Sequence, residues 1–357
     1  MTSLTRELPG HIWIRLQDRQ DVQRKLRVSL VDRCNLSCFF CHNEGQGPIS
    51  RGKVTALDPE TLTRLVRVAA RHGTRSVKLT GGEPLLYRSP DGRSTIVDLV
   101  ERLNSVRRDN TFDLSMTTNG TLLPRLAEPL AEAGLDRITV SLSTMTQNTF
   151  ERFIAPDATL LRRITSSIDS ARDADLRPLK LNIPVFHSEQ ANIGNLNEID
   201  HLISFARAHR VDEVRFFTLI AHDDFPEFEE YYHFFSQTMR AALIACFSRN
   251  GCPSPEATVD ILARIGGQFA SQLYPKVEFG VHLDGLKISF EALKHGRFPN
   301  SLKDHQEGPY AIRISADGGI RSMLRDKADN SLMDAIRAHA SDEFLGTLYH
   351  AAQEEIP

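Results

Sequence analysis

Six short β-prone runs, Arg27–Val31, Ser76–Thr80, Phe112–Thr117, Arg137–Leu142, Leu179–Val185 and Glu213–Leu219, recur along the chain with helical apolar spacing between them. The intervening segments are Leu57–Arg71, Thr95–Asn104, Leu122–Ala133, Leu160–Ala174 and Asn195–Ala208. The first opens at Asp58-Pro59-Glu60, which supplies a cap, a first-turn proline and an acid at the helix start. Strand alternating with helix predicts an α/β fold with a parallel sheet. Six such units predict a barrel or part of one, with its site at the C-terminal ends of the strands.

That rule predicts polar or glycine motifs just after each strand. Strand one is followed by Cys34, Cys38 and Cys41, strand two by Gly81-Gly82-Glu83-Pro84, and strand three ends in Thr117-Thr118-Asn119-Gly120. The fourth carries Ser141 and Ser143, the fifth Asn182, and the sixth runs from Arg215 towards His222-Asp223-Asp224. The six motifs read as one mouth.

Three cysteines spaced Cys-x3-Cys-x2-Cys can hold three irons of a [4Fe–4S] cluster and leave the fourth iron open to an external molecule. The competing reading is structural zinc with His42 as fourth ligand. Zinc sites usually pair two halves far apart in sequence, and no second half is present.

Around residue 225 the rhythm changes. Phe225–Phe235 is aromatic and acidic, Ser236–Phe247 has helical spacing, and Val277–Phe290 alternates like strands. A hairpin is expected to turn at Asp317-Gly318-Gly319, and one last helix to run over Ser331–Gln353. The expected division is an N-terminal arm over 1–25 with packing residue Trp13, a barrel over 26–235, and an α+β extension over 236–357 that covers the mouth.

A net charge of −3 and a pI near 6.5 give no basic field for nucleic acid. No apolar run approaches the ~18–20 residues that span a bilayer, and Arg6, Glu7, His11 and Arg15 interrupt any secretory signal. Five cysteines, mostly clustered, fit a reducing cytoplasm.

With Phe40 before the last cysteine, the cysteine spacing and the Gly-Gly-Glu-Pro motif together closely resemble the radical SAM superfamily. The resemblance implies a partial (β/α)6 TIM-like barrel, one [4Fe–4S] cluster held by Cys34, Cys38 and Cys41, and S-adenosylmethionine on the open iron. Its cleavage would yield a 5′-deoxyadenosyl radical that abstracts hydrogen. Gly81 and Gly82 would let the backbone approach the methionyl end, Glu83 would accept from its ammonium, and Pro84 completes the motif. By analogy Thr118, Asn119, Ser141, Lys180 and Asn182 would lie at the cofactor, although for Ser141 and Asn182 loop capping is an equal alternative. A flavodoxin- or ferredoxin-type electron donor is implied.

Within the superfamily the chain is similar to the GTP 3′,8-cyclases of molybdenum-cofactor biosynthesis. Aligning the hairpins puts Gln306, Pro309 and Met323 where the cyclases carry the cysteines of a second cluster, and no cysteine follows Cys252, so a second cluster is not expected from this segment and GTP cyclisation is not the expected reaction. The resemblance makes Arg27, Lys78, Arg215 and Arg313 candidate substrate cations, suited to phosphate or carboxylate. An anionic sugar- or nucleoside-type metabolite is the expected substrate. Decarboxylation of cytosylglucuronate in antibiotic biosynthesis is the specific expectation, with a nucleotide cyclase and a non-catalytic cluster protein as alternatives. Cys246 and Cys252 read as ordinary, partly buried thiols, and His187, His222 and His233 as loop acid–base candidates.

Overall fold

The computed structural model describes residues 8–45, 55–188, 193–217, 219, 235–269, 275–291, 294–295, 305–306, 311–322 and 328–356. Six parallel strands form its centre in chain order: β2 (Lys25–Ser29), β3 (Ser76–Thr80), β4 (Asp113–Thr118), β5 (Arg137–Ser141), β6 (Lys180–Pro184) and β7 (Glu213–Phe217). Helices over Pro59–Arg71, Ile96–Val106, Ala127–Glu132, Thr159–Asp173 and Ile199–Ala208 connect them. This is the α/β partial barrel that the rhythm predicts.

The sheet continues at both edges. Beyond β7 come β9 (Leu286–Glu291, parallel), β8 (Lys276–Leu283) and β1 (Ile12–Gln17), the last two antiparallel to their neighbours. Beyond β2 come β10 (Ile312–Ile314, parallel) and β11 (Ile320–Arg321, antiparallel). Segments expected as an arm and an extension thus supply strands to the same sheet.

Successive strand residues point to opposite faces, and here the faces differ in chemistry. Leu26, Val28, Val77, Leu79, Leu114, Met116, Ile138, Val140, Leu181, Ile183, Val214 and Phe216 are buried. They form the core against the outer helices. The intervening Lys25, Arg27, Ser76, Lys78, Arg137, Lys180 and Arg215 line a cavity inside the curled sheet. Closed (β/α)8 barrels fill that space with branched apolar side chains. Here it is polar.

Some expected elements shift. The first strand starts and ends two residues early, because Leu30 and Val31 already belong to the turn towards the cysteines; the Leu30 N–H donates to the Thr80 carbonyl at 2.9 Å. The single last helix is two, Ser331–Arg337 and Asp342–Glu354. His339 between them has φ +56°, and Ser341 caps the second through the Phe344 N–H. A further helix, Pro255–Phe269, fills the stretch between the expected helix Ser236–Phe247 and the expected strands of Val277–Phe290. Residues 218, 220–234, 307–310 and 323–327 lie outside the described residues, and with them His222, Asp223, Asp224, His233, Pro309 and Met323.

Candidate active site

The cysteine loop hangs from the end of β2 and is held from two sides. On one side the Ser37 and Phe39 N–H groups donate to the carbonyls of Ile154 and Phe153 at 3.0 and 2.9 Å. The Phe39 ring packs against Phe40, Phe153 and Phe186, with centroids 5.2, 4.9 and 5.1 Å apart. On the other side lies the glycine motif. The Gly82 N–H donates to the Val31 carbonyl at 2.7 Å, and the Glu83 N–H to the Arg33 carbonyl at 2.8 Å. A Cβ on Gly81 would sit 2.6 Å from the Val31 carbonyl oxygen, and one on Gly82 would overlap the Arg33 carbonyl. The two glycines therefore serve close approach to the cysteine loop's own backbone.

Glu83 is buried behind them. One carboxylate oxygen accepts from the Thr118 hydroxyl at 2.5 Å and the Leu85 N–H at 3.0 Å; the other accepts from the Asn119 N–H at 2.7 Å. Burial raises its pKa to about 7, against the pull of those bonds. Asn119 in turn donates to Asn35 Oδ1 at 2.9 Å and to Cys34 Sγ at 3.7 Å. Glu83 thus locks the ends of β3 and β4 to the cysteine loop, with one lone-pair direction left over.

Cys34, Cys38, Cys41, Gly81, Gly82, Thr118, Asn119 and Ser141 line one cavity of about 200 Å³ with Phe40, Leu142 and Phe217. The Leu36 and Asn43 N–H groups donate to Cys34 and Cys41 Sγ, both at 3.4 Å. Burial, then the Glu83 charge, raises the Cys34 thiol to about 12. Burial and the neighbouring thiols push Cys38 well up, and burial raises Cys41. Such thiols stay protonated until a metal centre deprotonates them. No three His, Cys, Asp or Glu side chains among the described residues gather closely enough for a single metal ion. A cluster asks for less convergence, because each thiolate meets a different iron. Three thiols round one cavity, two of them accepting N–H···S bonds, fit that group.

The predicted cations lie elsewhere. Arg27, Lys78, Lys180 and Arg215 line a second cavity of about 530 Å³, one pleat nearer the strand beginnings. Most are already paired. Lys180 meets Glu213 at 2.6 Å; Arg215 meets Glu213, Glu291 and Glu278 at 3.3, 3.6 and 3.8 Å. Arg27 pairs with one oxygen of Glu44, and Arg313 with the other at 2.5 Å. Glu44 follows the third cysteine by three residues and has φ +53°, so this clamp ties the cysteine loop to β2 and β10. Burial opposes its ionisation, but Arg27 and Arg313 outweigh it and hold its pKa at about 2.

Glu83, Pro84, Asn182 and Arg313 line neither cavity. Asn182 sits inside β6, and its carbonyl accepts from the Leu142 N–H at 3.1 Å. His187 and Cys246 are buried; Cys252, also buried, lies 3.7 Å from His11 Nε2. Glu44, Lys25, Glu213 and Glu278 escaped sequence reasoning. Alternating charge within each strand was the signal for the last three.

Residues 28–205 match the family described as the Radical SAM superfamily. The chain carries a radical SAM domain. The cofactors of this family are a [4Fe–4S] cluster and S-adenosylmethionine. Among curated proteins, the probable GTP 3′,8-cyclase of Sulfurisphaera tokodaii is 39% identical over 194 residues, covering 54% of this chain and 55% of that protein. That of Thermococcus kodakarensis is 41% identical over 181 residues, covering 51% and 52%. The match thus spans about half the length of these relatives. A crystal structure of Streptococcus suis SuiB bound to S-adenosylmethionine superposes with a TM-score of 0.55 at 15% identity, over 91% of this chain and 67% of that one. That likeness bears on the fold alone. Among the described residues, no helix is long and apolar enough to cross a membrane.

Proposed function

We propose that the chain is a one-cluster radical SAM enzyme acting on an anionic nucleotide- or nucleoside-type substrate. The observation that carries this reading is the stacking of two chambers in one lumen: a thiol-lined cavity at the strand ends and a cation-lined one a pleat below. Cys34, Cys38 and Cys41 would hold the cluster; Thr118, Asn119 and Ser141 border the space for the methionyl and ribosyl parts. The cluster and S-adenosylmethionine would supply a carbon-centred radical that takes a hydrogen atom from the substrate. Phe40, Leu142 and Phe217 exclude water from that space. Lys78, with Arg27 and Arg215 beside it, would hold the substrate's negative charge.

The cyclase relatives favour a nucleotide and ring-forming chemistry over decarboxylation. Cytosylglucuronate decarboxylation remains the second reading, favoured by the lack of any cysteine after Cys252 for a second cluster. The division into 1–25, 26–235 and 236–357, the low-potential electron donor and a cytoplasmic setting belong to the same proposal. Anaerobic reconstitution tests it. About four irons per chain and 5′-deoxyadenosine formed with GTP or cytosylglucuronate are expected; one tightly held zinc would reject the reading. Loss of carbon dioxide from cytosylglucuronate, without turnover of GTP, would move the second reading ahead.

A further inference from the structure

Side chains of the cysteine loop alternate between two sides. Cys34, Leu36, Cys38 and Phe40 line the thiol cavity, whereas Asn35, Ser37 and Phe39 do not, and Asn35 and Ser37 are exposed. Two segments frame that outer side. The Asn35 side chain donates to the Thr121 hydroxyl at 2.9 Å, and the Ser37 and Phe39 N–H groups reach the Ile154 and Phe153 carbonyls.

Five arginines stand on the loop and on these segments. Arg33 precedes Cys34, Arg125 follows Thr121 by one turn, and Arg152 precedes Phe153. Arg162 and Arg163 open the next helix, whose Ile164 lines the thiol cavity. All five are exposed, and none makes a side-chain hydrogen bond or ion pair with the described residues. Elsewhere on the surface Arg102 and Arg249 each meet a carboxylate at 2.9 Å, and Arg337 meets one at 3.2 Å. The carboxylates beside the five are turned to other partners. Asp32 accepts from the Thr55 N–H at 3.0 Å, Glu151 from Gln147 Nε2 at 2.8 Å, and Asp157 from the Thr159 N–H at 2.9 Å. A chain of net charge −3 thus gathers unpaired positive charge round its cysteine loop. Like charges gathered on one face repel and cost stability, and a negatively charged partner offsets that cost.

Beneath Arg152 the structure is aromatic. Its guanidinium lies 5.4 Å from the centre of the Phe153 ring, that ring lies 4.9 Å from Phe39, and Phe39 follows Cys38. Two packed rings therefore separate the charged face from a thiol. A polynucleotide would meet the same charge, but no exposed aromatic ring stands among the five arginines for a base to stack on.

We infer that this face docks an acidic one-electron carrier, a protein with a flavin or iron–sulfur centre. The inference rests on the one-cluster enzyme reading and deepens it by giving the electron a point of entry. One electron leaves the carrier's centre and enters the cluster that Cys34, Cys38 and Cys41 would hold, and no bond forms or breaks at that step. An electron needs proximity and no open channel, which suits a face closed by packed rings. The arginine charge steers the encounter.

The test mixes cluster-reconstituted protein with an FMN flavodoxin of net negative charge and follows association by stopped flow. Association should slow about tenfold from low to physiological salt, and by a similar factor in the double variant Arg152→Glu/Arg163→Glu. Arg152→Lys/Arg163→Lys should retain it. Arg264→Glu, the same change of sign at an exposed arginine of helix Pro255–Phe269, should leave it unaltered. Circular dichroism and iron content check that each variant is folded and loaded. In parallel, 5′-deoxyadenosine is measured with dithionite and with reduced flavodoxin as reductant. The double glutamate variant should keep the dithionite rate and lose most of the flavodoxin rate. Flavodoxin association unchanged in that variant, an equal loss in Arg264→Glu, or displacement of flavodoxin by a tighter-binding RNA oligonucleotide would overturn the docking face. No 5′-deoxyadenosine with dithionite rejects the enzyme reading; association that depends on salt and on Arg152 and Arg163 still supports the face.

Discussion

The two chambers of the lumen are made from the same six strands, yet they solve opposite problems. The upper one gathers three thiols that burial keeps neutral and fixes them through backbone hydrogen bonds and aromatic packing. The lower one gathers cations and holds most of them by carboxylates from neighbouring strands. The upper is shaped for a neutral-to-metal exchange, the lower for charge balance. Loss of a thiol above should therefore leave the ion pairs below intact, whereas loss of Lys78 or Arg215 should weaken substrate binding and with it the 5′-deoxyadenosine formed with substrate.

The sharpest test removes a thiol. Cys34→Ala, Cys38→Ala or Cys41→Ala should take iron from about four per chain to near none and abolish 5′-deoxyadenosine, with the denaturant midpoint of the cluster-free chain little changed. A collapse of that midpoint along with the iron would show that the chambers are not separable. Next is Glu213, which compensates Lys180, Arg215 and Lys287 at once. Glu213→Gln should lower unfolding stability by about 3 kcal/mol, the cost of breaking a buried pair, and denaturant melts measure it.

Gly82→Ala acts through shape alone, since its Cβ would overlap the Arg33 carbonyl. A loss of about 1–3 kcal/mol is expected, together with faster iron release, because the displaced segment leads into Cys34. The smallest effect is set by acid. Burial raises the Glu278 pKa, but Arg215, Lys276 and Lys25 outweigh it and bring it to about 2. A carboxyl depressed in the fold stabilises above its unfolded pKa and loses that contribution as pH falls through the folded value. Glu278→Gln should therefore flatten the stability curve between about pH 4.5 and 2, and thermal melts across that range would show it.

Much of the upper chamber was legible in the sequence, because its parts are local. Each motif follows its own strand, and the distance from strand to motif fixes which end of the barrel it occupies. The boundary errors have local causes too: apolar Leu30 and Val31 prolong the look of a strand after its ladder has turned away. The split of the last helix at His339 was also written locally, in Ser341 followed by Asp342 and Glu343, a cap and acidic first turn that the longer apolar spacing masked. The lumen's polarity was available as well. Lys-Leu-Arg-Val-Ser, Ser-Val-Lys-Leu-Thr and Glu-Val-Arg-Phe alternate strictly, whereas a parallel strand buried on both faces reads as a continuous apolar run.

The sequence by itself therefore determined the strand–helix order, the cysteine mouth and the existence of inward-facing charge. Only the tertiary structure decided which charges are already answered. Glu44 reaches Arg313 across 269 positions of chain, and Glu213 reaches Lys287 across 74. Ion pairs of that kind depend on which strands become neighbours and on the curl that brings their inner faces together. Four arginines and lysines that look alike in the sequence thereby become three that carboxylates already hold and one, Lys78, beside an unforeseen Lys25, that faces the lumen without one.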